Sequence, residues 1–233
     1  MGRCLGRPVS YRVIAFVGRH FAAATLIVAC GAIAPAQAAT VPFFDDFSSI
    51  GSTVLSVPPS GWTTNFPPSS DTVDSIKSGD WSIRCLGGSG GCVDLDGTDG
   101  GAGLLSTGDF LLQAGGSYLL SAYVSGNQRN GSTESLEFGF TNAAGTSILE
   151  SDTFNILAVD TGQDSDFKLY TVLFVVGAED TTVRIFFQNG GNDNEGAILD
   201  NVSLTAVPLP AAAWLLLAGL GGLGLVGRRR KAA

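Results

Sequence analysis

The residues able to do chemistry in this chain are mainly carboxylates. All 21 Asp and Glu residues fall between Asp45 and Asp200, and that stretch holds only five cations, Lys77, Arg84, Arg129, Lys168 and Arg184. The single His, His20, precedes every acid, so a Ser or Cys nucleophile in the acidic region has no imidazole partner. A carboxylate pair could hydrolyse a glycosidic bond. With 21 acids, however, a suitable pair is expected by chance, and no stretch singles one out. The pattern of Ile198–Leu204, ILDNVSL, is more informative. Asp200 shares strand phase with Ile198, Val202 and Leu204, which puts a carboxylate on an apolar face. There it needs hydrogen bonds or a cation, unless the position is at an edge in water. DLDGTDG, Asp94 to Gly100, has the look of a calcium loop, but Leu105 stands where an EF-hand places its bidentate Glu, and a polar turn is the simpler reading. GGNDNEG, Gly190 to Gly196, reads as an acidic hairpin tip.

The other chemistry-bearing groups are aromatics, one loop arginine and two thiols. Trp62, Trp81, Tyr118, Tyr123 and Tyr170 could give sugar rings a flat face, although for each one singly the core is the stronger reading, since large aromatics in a sandwich are usually core. Arg129 and Gln128, between Asn127 and Asn130, could add hydrogen bonds to a saccharide. Cys85 and Cys92 flank the Gly-rich LGGSGG. In an oxidising compartment such a loop closes into a disulfide, restricting the unfolded chain by about 2–3 kcal/mol. Two thiols without a His are too few for a metal site. Two formal glycosylation sequons, Asn130-Gly131-Ser132 and Asn201-Val202-Ser203, are read as chance. The acidic excess argues against binding nucleic acid or anionic lipid, both of which need positive charge.

Short β-type runs between Gly, Ser, Asn and Asp clusters must position these groups. Ala39–Ala206 reads as one all-β domain. Strands are predicted near Phe43–Phe47, Val54–Val57, Trp81–Cys85, Cys92–Leu95, Gly103–Ser106, Phe110–Gln113, Ser117–Ser125, Ser135–Thr141, Ser147–Phe154, Lys168–Val176, Thr182–Gln188 and Ala197–Thr205. No amphipathic helix pattern interrupts them. This spacing gives an antiparallel sandwich or barrel. Val183, Ile185 and Phe187 share one face and Arg184 and Gln188 the other, while Leu136, Phe138 and Phe140 lie opposite Glu137 and Gly139. Phe167–Val176 is apolar on both faces, which predicts a central strand covered on both sides.

The ends carry an address. Arg3, Arg7, Arg12 and Arg19 form a basic leader, Phe21–Ile33 a short apolar run, and Ala36-Gln37-Ala38 a small-x-small site. Residues 1–38 therefore read as a signal peptide that signal peptidase removes, taking Cys4 and Cys30 with it. The other end, Val207–Lys231, is VPLPAAAWLLLAGLGGLGLVGRRRK. Pro208 and Pro210 delay any helix to about Ala211. The charge-free run through residue 227 is long enough to span a bilayer as a helix. Arg228, Arg229, Arg230 and Lys231 mark its cytoplasmic side.

Val207, Pro208, Leu209 and Pro210, the WLLLAGLGGLG run and the basic end resemble the PEP-CTERM sorting tail in its VPLPA variant, with Leu209 in place of the usual Glu. The resemblance implies a Gram-negative bacterium and an inner-membrane-anchored precursor whose core lies in the periplasm. An exosortase would cut near Val207–Pro210 and pass the protein to the cell surface or extracellular matrix. FFDDFSS, SGW at Ser60–Trp62, AGGSYLLSAYVSG at Ala114–Gly126 and ILDNVSL are similar to jelly rolls of carbohydrate-binding modules and the galactose-binding-like fold. CVDLDG at Cys92–Gly97 and SGNQR at Ser125–Arg129 recur in ectodomains carrying such tails. The fold implied is an antiparallel jelly-roll β-sandwich. In those jelly rolls an Asp of the last strand and an acid near the first hold a structural calcium, positions that Asp200 and Asp45 or Asp46 match. The reading that follows is a non-catalytic structural or adhesive surface protein of the biofilm matrix, with exopolysaccharide as a ligand through Trp62, Trp81 and Arg129. The rivals are a glycan-active hydrolase using a carboxylate pair and a matrix protein with no saccharide site.

Overall fold

Period-two alternation builds the centre of the molecule. In β8 (Glu134–Asn142) Leu136, Phe138 and Phe140 are fully buried, and in β11 (Thr181–Asn189) Val183, Ile185 and Phe187 join them. The two strands pair antiparallel, with Phe187 opposite Phe138 and Ile185 opposite Phe140, so the apolar faces form one continuous surface. The computed structural model describes residues 43–208, apart from 65–71, 100, 130–132, 158–165 and 192. These residues lie in the unit Ala36–Ala233. The signal peptide, the membrane helix, Leu209, Pro210, Arg228, Arg229 and Arg230 lie outside the described residues. No helix among the described residues is long and apolar enough to cross a membrane.

Ten further strands complete the described part: β1 (Phe43–Asp45), β2 (Trp62–Thr63), β3 (Asp74–Lys77), β4 (Gly91–Asp94), β5 (Leu104–Thr107), β6 (Phe110–Leu112), β7 (Ser117–Ser125), β9 (Ile148–Ile156), β10 (Lys168–Val175) and β12 (Ile198–Ala206). One sheet runs β10-β7-β12-β4-β3, with β1 also on β12. The other runs β2-β5-β11-β8-β9, with β6 also on β11. Every strand pair is antiparallel. The chain stays within one sheet only from β3 to β4, from β5 to β6 and from β8 to β9, and every other connection between successive strands crosses to the opposite sheet. This is a β-sandwich, one of the two architectures expected from the strand spacing, in the jelly-roll form that the resemblance implied.

Aromatic rings fill the space between the sheets. Phe138 stacks on Phe187 at 5.1 Å and on Phe154 at 5.2 Å, and Phe140 meets Phe174 of the opposite sheet at 5.1 Å. A second, smaller apolar cluster joins Ile76, Ile83, Cys85, Cys92, Phe167 and Ile198. Cys85 and Cys92 form a disulfide with a Cα–Cα distance of 5.4 Å.

Several strand expectations need correction. Val54–Val57 is not a strand, since Val54 makes only an isolated bridge to Ser75. Trp81–Cys85 is not a strand either. A 3-10 turn occupies Asp80–Ser82, with Trp81 and Ser82 at φ 53° and 66°. β3 and the short β2 went unpredicted because Asp74 and Ser75 break an apolar pattern that β3 does not need; its polar side chains are hydrogen-bonded in place. β10 is a sheet edge rather than a centre. Only Val172 and Phe174 of its apolar residues are fully turned inward, and Leu169, Leu173 and Val175 are 54%, 51% and 61% exposed.

Candidate functional site

The strand order brings the acids of the first and last strands together. Asp45 lies opposite Val202 in the β1–β12 pair, two residues from Asp200. Asp200 is buried; its Oδ2 accepts from Leu86 N–H at 2.9 Å and its Oδ1 from Asn201 N–H at 2.7 Å. Burial pushes this carboxyl up to about 7, and the negative charges of Asp46 and Asp45 push the same way. Asp45 accepts from Phe47 N–H at 2.9 Å and from the Trp62 indole at 2.8 Å. Exposed Asp46 accepts from Ser48, whose hydrogen bonds hold its carboxyl below the usual range. The donor chemistry is hard oxygen, which calcium prefers, and each carboxylate oxygen keeps a second lone pair. A cation here would also offset the burial of the Asp200 charge and, to a smaller extent, its repulsion by Asp46 and Asp45. Among the described residues no three His, Cys, Asp or Glu are grouped to hold a metal by themselves, so backbone carbonyls or water would have to complete such a site.

The proposed saccharide residues part company. Trp62 is 5% exposed and packs among Phe43, Phe47 and Phe187 at 5.9, 5.7 and 6.0 Å. It is a core residue and offers no open face, because β2 pairs with β5 and turns the ring between the sheets. Tyr118 is likewise buried, its hydroxyl accepting from Gln113 N–H at 2.9 Å. Trp81 is 46% exposed. Its backbone is left-handed, which is rare for a residue with a Cβ. The guanidinium of Arg129 lies 5.9 Å from its centroid, within cation–π range.

Arg129 is held from below. Its guanidinium forms an ion pair with buried Asp94 and donates to the carbonyl of Asn194. Its N–H donates to Asn127 Oδ1 at 2.9 Å, and Asn127 Nδ2 donates to the Glu195 carbonyl at 2.6 Å. Gln128 bonds both the N–H and the carbonyl of Arg84, at 2.8 and 3.1 Å. The loop after β7 is thereby fixed to the segment carrying Trp81 and to the loop before β12. Burial pushes the Asp94 carboxyl up to about 7, against the pull of Arg129 and of the N–H groups of Asp96 and Gly196.

Sequence reasoning left out Asp74, Glu134 and Asn189 of the buried polar set at this end of the sandwich, and it read Asp94 and Asp96 as part of a plain polar turn. One signal was available. Asp94 shares strand phase with Cys92, and both lie in a strand whose four residues are all buried. The convergence of the two acidic loops had no signal in the sequence, because residues almost a hundred positions apart meet there, as in the 2.9 Å bond from Asp193 N–H to Asp96 Oδ2.

The fold defines the class, an antiparallel jelly-roll sandwich with half-exposed aromatic and acidic groups at its loops. The segment beyond β12 supplies the more particular identification: residues 206–231 match the PEP-CTERM protein-sorting motif. Such a motif implies an exported protein processed by an exosortase from a membrane-anchored precursor. No curated protein is matched. Solved structures similar to this chain include the enzymatically active domain of bacteriophage CBA120 tailspike protein 4, at 17% identity over 70% of this chain, TM-score 0.39; the chain spans only 20% of that protein. The K1 adhesin domain of Lys-gingipain from Porphyromonas gingivalis W83 is similar at 16% identity over 70% of this chain and 97% of that one, TM-score 0.44. The C-terminal CBM6 of the laminarinase LamC from Zobellia galactanivorans is similar at 11% identity over 70% of this chain and 98% of that one, TM-score 0.38. Likenesses this distant say nothing about a ligand for this chain.

Proposed function

We propose that the protein is a non-catalytic component of the cell surface or extracellular matrix that binds polysaccharide through Trp81 and Arg129. The observation that carries this reading is the half-exposed Trp81 ring, placed beside an anchored guanidinium. A half-exposed indole face beside hydrogen-bond donors suits a pyranose ring. The sorting motif and the acidic, disulfide-bearing sandwich support a place outside the cell. A hydrolase is disfavoured because the three raised carboxyls, Asp94, Asp96 and Asp200, are all buried. Both oxygens of Asp94 and both of Asp200 are engaged by protein donors, so neither stands ready to meet a glycosidic oxygen.

Calcium belongs to this reading as a structural ion, held by Asp45, Asp46 and Asp200 with backbone carbonyls. It would tie the first strand to the last without taking part in binding. Exopolysaccharide, exosortase and signal peptidase are the partners proposed, and nucleic acid is not among them.

The test is a glycan-array screen of the full chain purified in detergent, followed by calorimetry on any hit. Saturable binding without turnover that Trp81→Ala weakens at least about tenfold supports the platform. A folded sample that binds no glycan removes the saccharide and leaves a structural matrix protein. Release of sugar from the bound polysaccharide would favour the hydrolase.

A further inference from the structure

The acidic loops 94–99 and 190–196, each of which looks like a plain turn by itself, meet at one end of the sandwich. Gly196 N–H donates to Asp94 Oδ1 and Asp193 N–H to Asp96 Oδ2, both at 2.9 Å. With its amide nitrogen turned toward them, Asn194 donates to the carbonyls of Gly97 and Thr98 at 3.1 Å. Asp96, Glu134 and Asn189 converge beneath this junction. A Cβ placed on Gly191 would stand 2.8 Å from Asp96 Oδ2, from Glu134 Oε2 and from Asn189 Nδ2. All three residues are buried.

Two buried oxygens of the converging side chains, Asp96 Oδ1 and Asn189 Oδ1, have no hydrogen-bond partner among the described residues. Both are acceptors, and an unmet buried acceptor is costly. The amide of Asn189 cannot turn to cure this. Its nitrogen donates to Glu134 Oε2 at 2.9 Å, and reversal would set its oxygen against that carboxylate. Asp96, Glu134 and Asp193 bring carboxylates to the pocket and its rim, and the charge of Arg129, which is ion-paired to Asp94, reaches Asp96 as well.

We propose that this pocket binds one calcium ion, with Asp96 Oδ1 and Asn189 Oδ1 as protein ligands and Glu134 supplying charge beside them. Two buried oxygens short of a partner and an amide whose orientation is fixed call for a hard cation. One or two side-chain carboxylates with an amide oxygen and water make a set that calcium accepts. Magnesium, which demands a stricter octahedron, suits it less well. The site lies at the loop end where Arg129 is anchored, so the ion would brace the Trp81 platform. It is separate from the ion proposed at Asp200.

Calorimetric titration of the full, calcium-stripped chain with calcium chloride tests this, using an Asp200→Asn chain to silence the other site. Uptake of one calcium by the Asp200→Asn chain, with Kd on the order of 0.1–1 mM as in extracellular modules, is the expected result. Adding Asp96→Asn should weaken that binding at least about tenfold. Gly191→Ala should do the same by crowding the pocket while leaving every ligand in place, and circular dichroism verifies that both variants are folded. Unchanged affinity in both folded variants overturns the proposal. So does a chain that takes up no calcium to about 10 mM, the behaviour of a pocket filled by water alone. If Asp200→Asn removes all binding that Asp96→Asn spares, this site fails and the one at Asp200 stands.

Discussion

Trp62 and Trp81 are one residue type put to opposite uses by their backbones. Trp62 sits in a strand that turns its ring into the core, and its one polar atom is met by Asp45 at 2.8 Å. Trp81 sits in a turn at positive φ, and its ring is half-exposed. Removing the indole nitrogen of the first should be felt as lost stability: Trp62→Phe leaves Asp45 short of a donor and the core short of volume, a loss of about 1–3 kcal/mol. Urea denaturation of the variant measures it, and an unchanged midpoint would refute the core assignment. Sequence alone could not separate the two residues, since each is a Trp beside Ser or Gly in a polar stretch. Asp200 was more legible, because its strand phase with Ile198, Val202 and Leu204 is enough to mark a carboxylate on a buried face. What the pattern left open was how that carboxylate is satisfied. Leu86 N–H, on the far side of the disulfide loop, is part of the answer.

At the scale of elements, the segment between β3 and β4 shows a covalent link standing in for secondary structure. From Ser78 to Gly90 it has two 3-10 turns and no strand. The disulfide and the small cluster of Ile76, Ile83 and Ile198 hold it on the sheet. Replacing Cys85 and Cys92 together by Ser should cost about 2–3 kcal/mol, the loop entropy of so short a link, measured by thermal melts of the oxidised parent and the variant. β10 teaches a second lesson. Apolar residues on both faces suggested a central strand, yet it is an edge strand with one wet face. A paired test follows from the register. Leu173→Lys, at 51% exposure, should shift stability by no more than about 0.5 kcal/mol. Val172→Lys, at 1% exposure, should prevent or severely weaken folding, because it buries an unpaired charge. Equal melting temperatures for the two variants would show that the faces have been assigned wrongly.

For the molecule as a whole, the acid excess is distributed so that two carboxyls inside the sandwich titrate near neutrality. Asp94 and Asp200 are each raised by burial to about 7 from 3.8. Between those values the folded chain holds protons that the unfolded chain has released, so stability falls as pH rises through that window. Melting temperature in calcium-free buffer should therefore decline from about pH 5 to about pH 8, and Asp200→Asn should flatten part of that slope. A melting temperature that rises over the range would contradict the assignment. The sequence by itself determined the outline: an all-β core with period-two faces, a disulfide of short span, a carboxylate on the last strand's buried face, and a sorting motif at the end of the chain. Those features are local, and the chemistry of a few neighbouring residues dictates them. Only the tertiary structure decided which strand is an edge, which tryptophan is core, and that two acidic turns close over Asp96, Glu134 and Asn189. These are facts of long-range pairing. They depend on which loops the jelly roll brings to the same end, and no periodicity within a single strand records that.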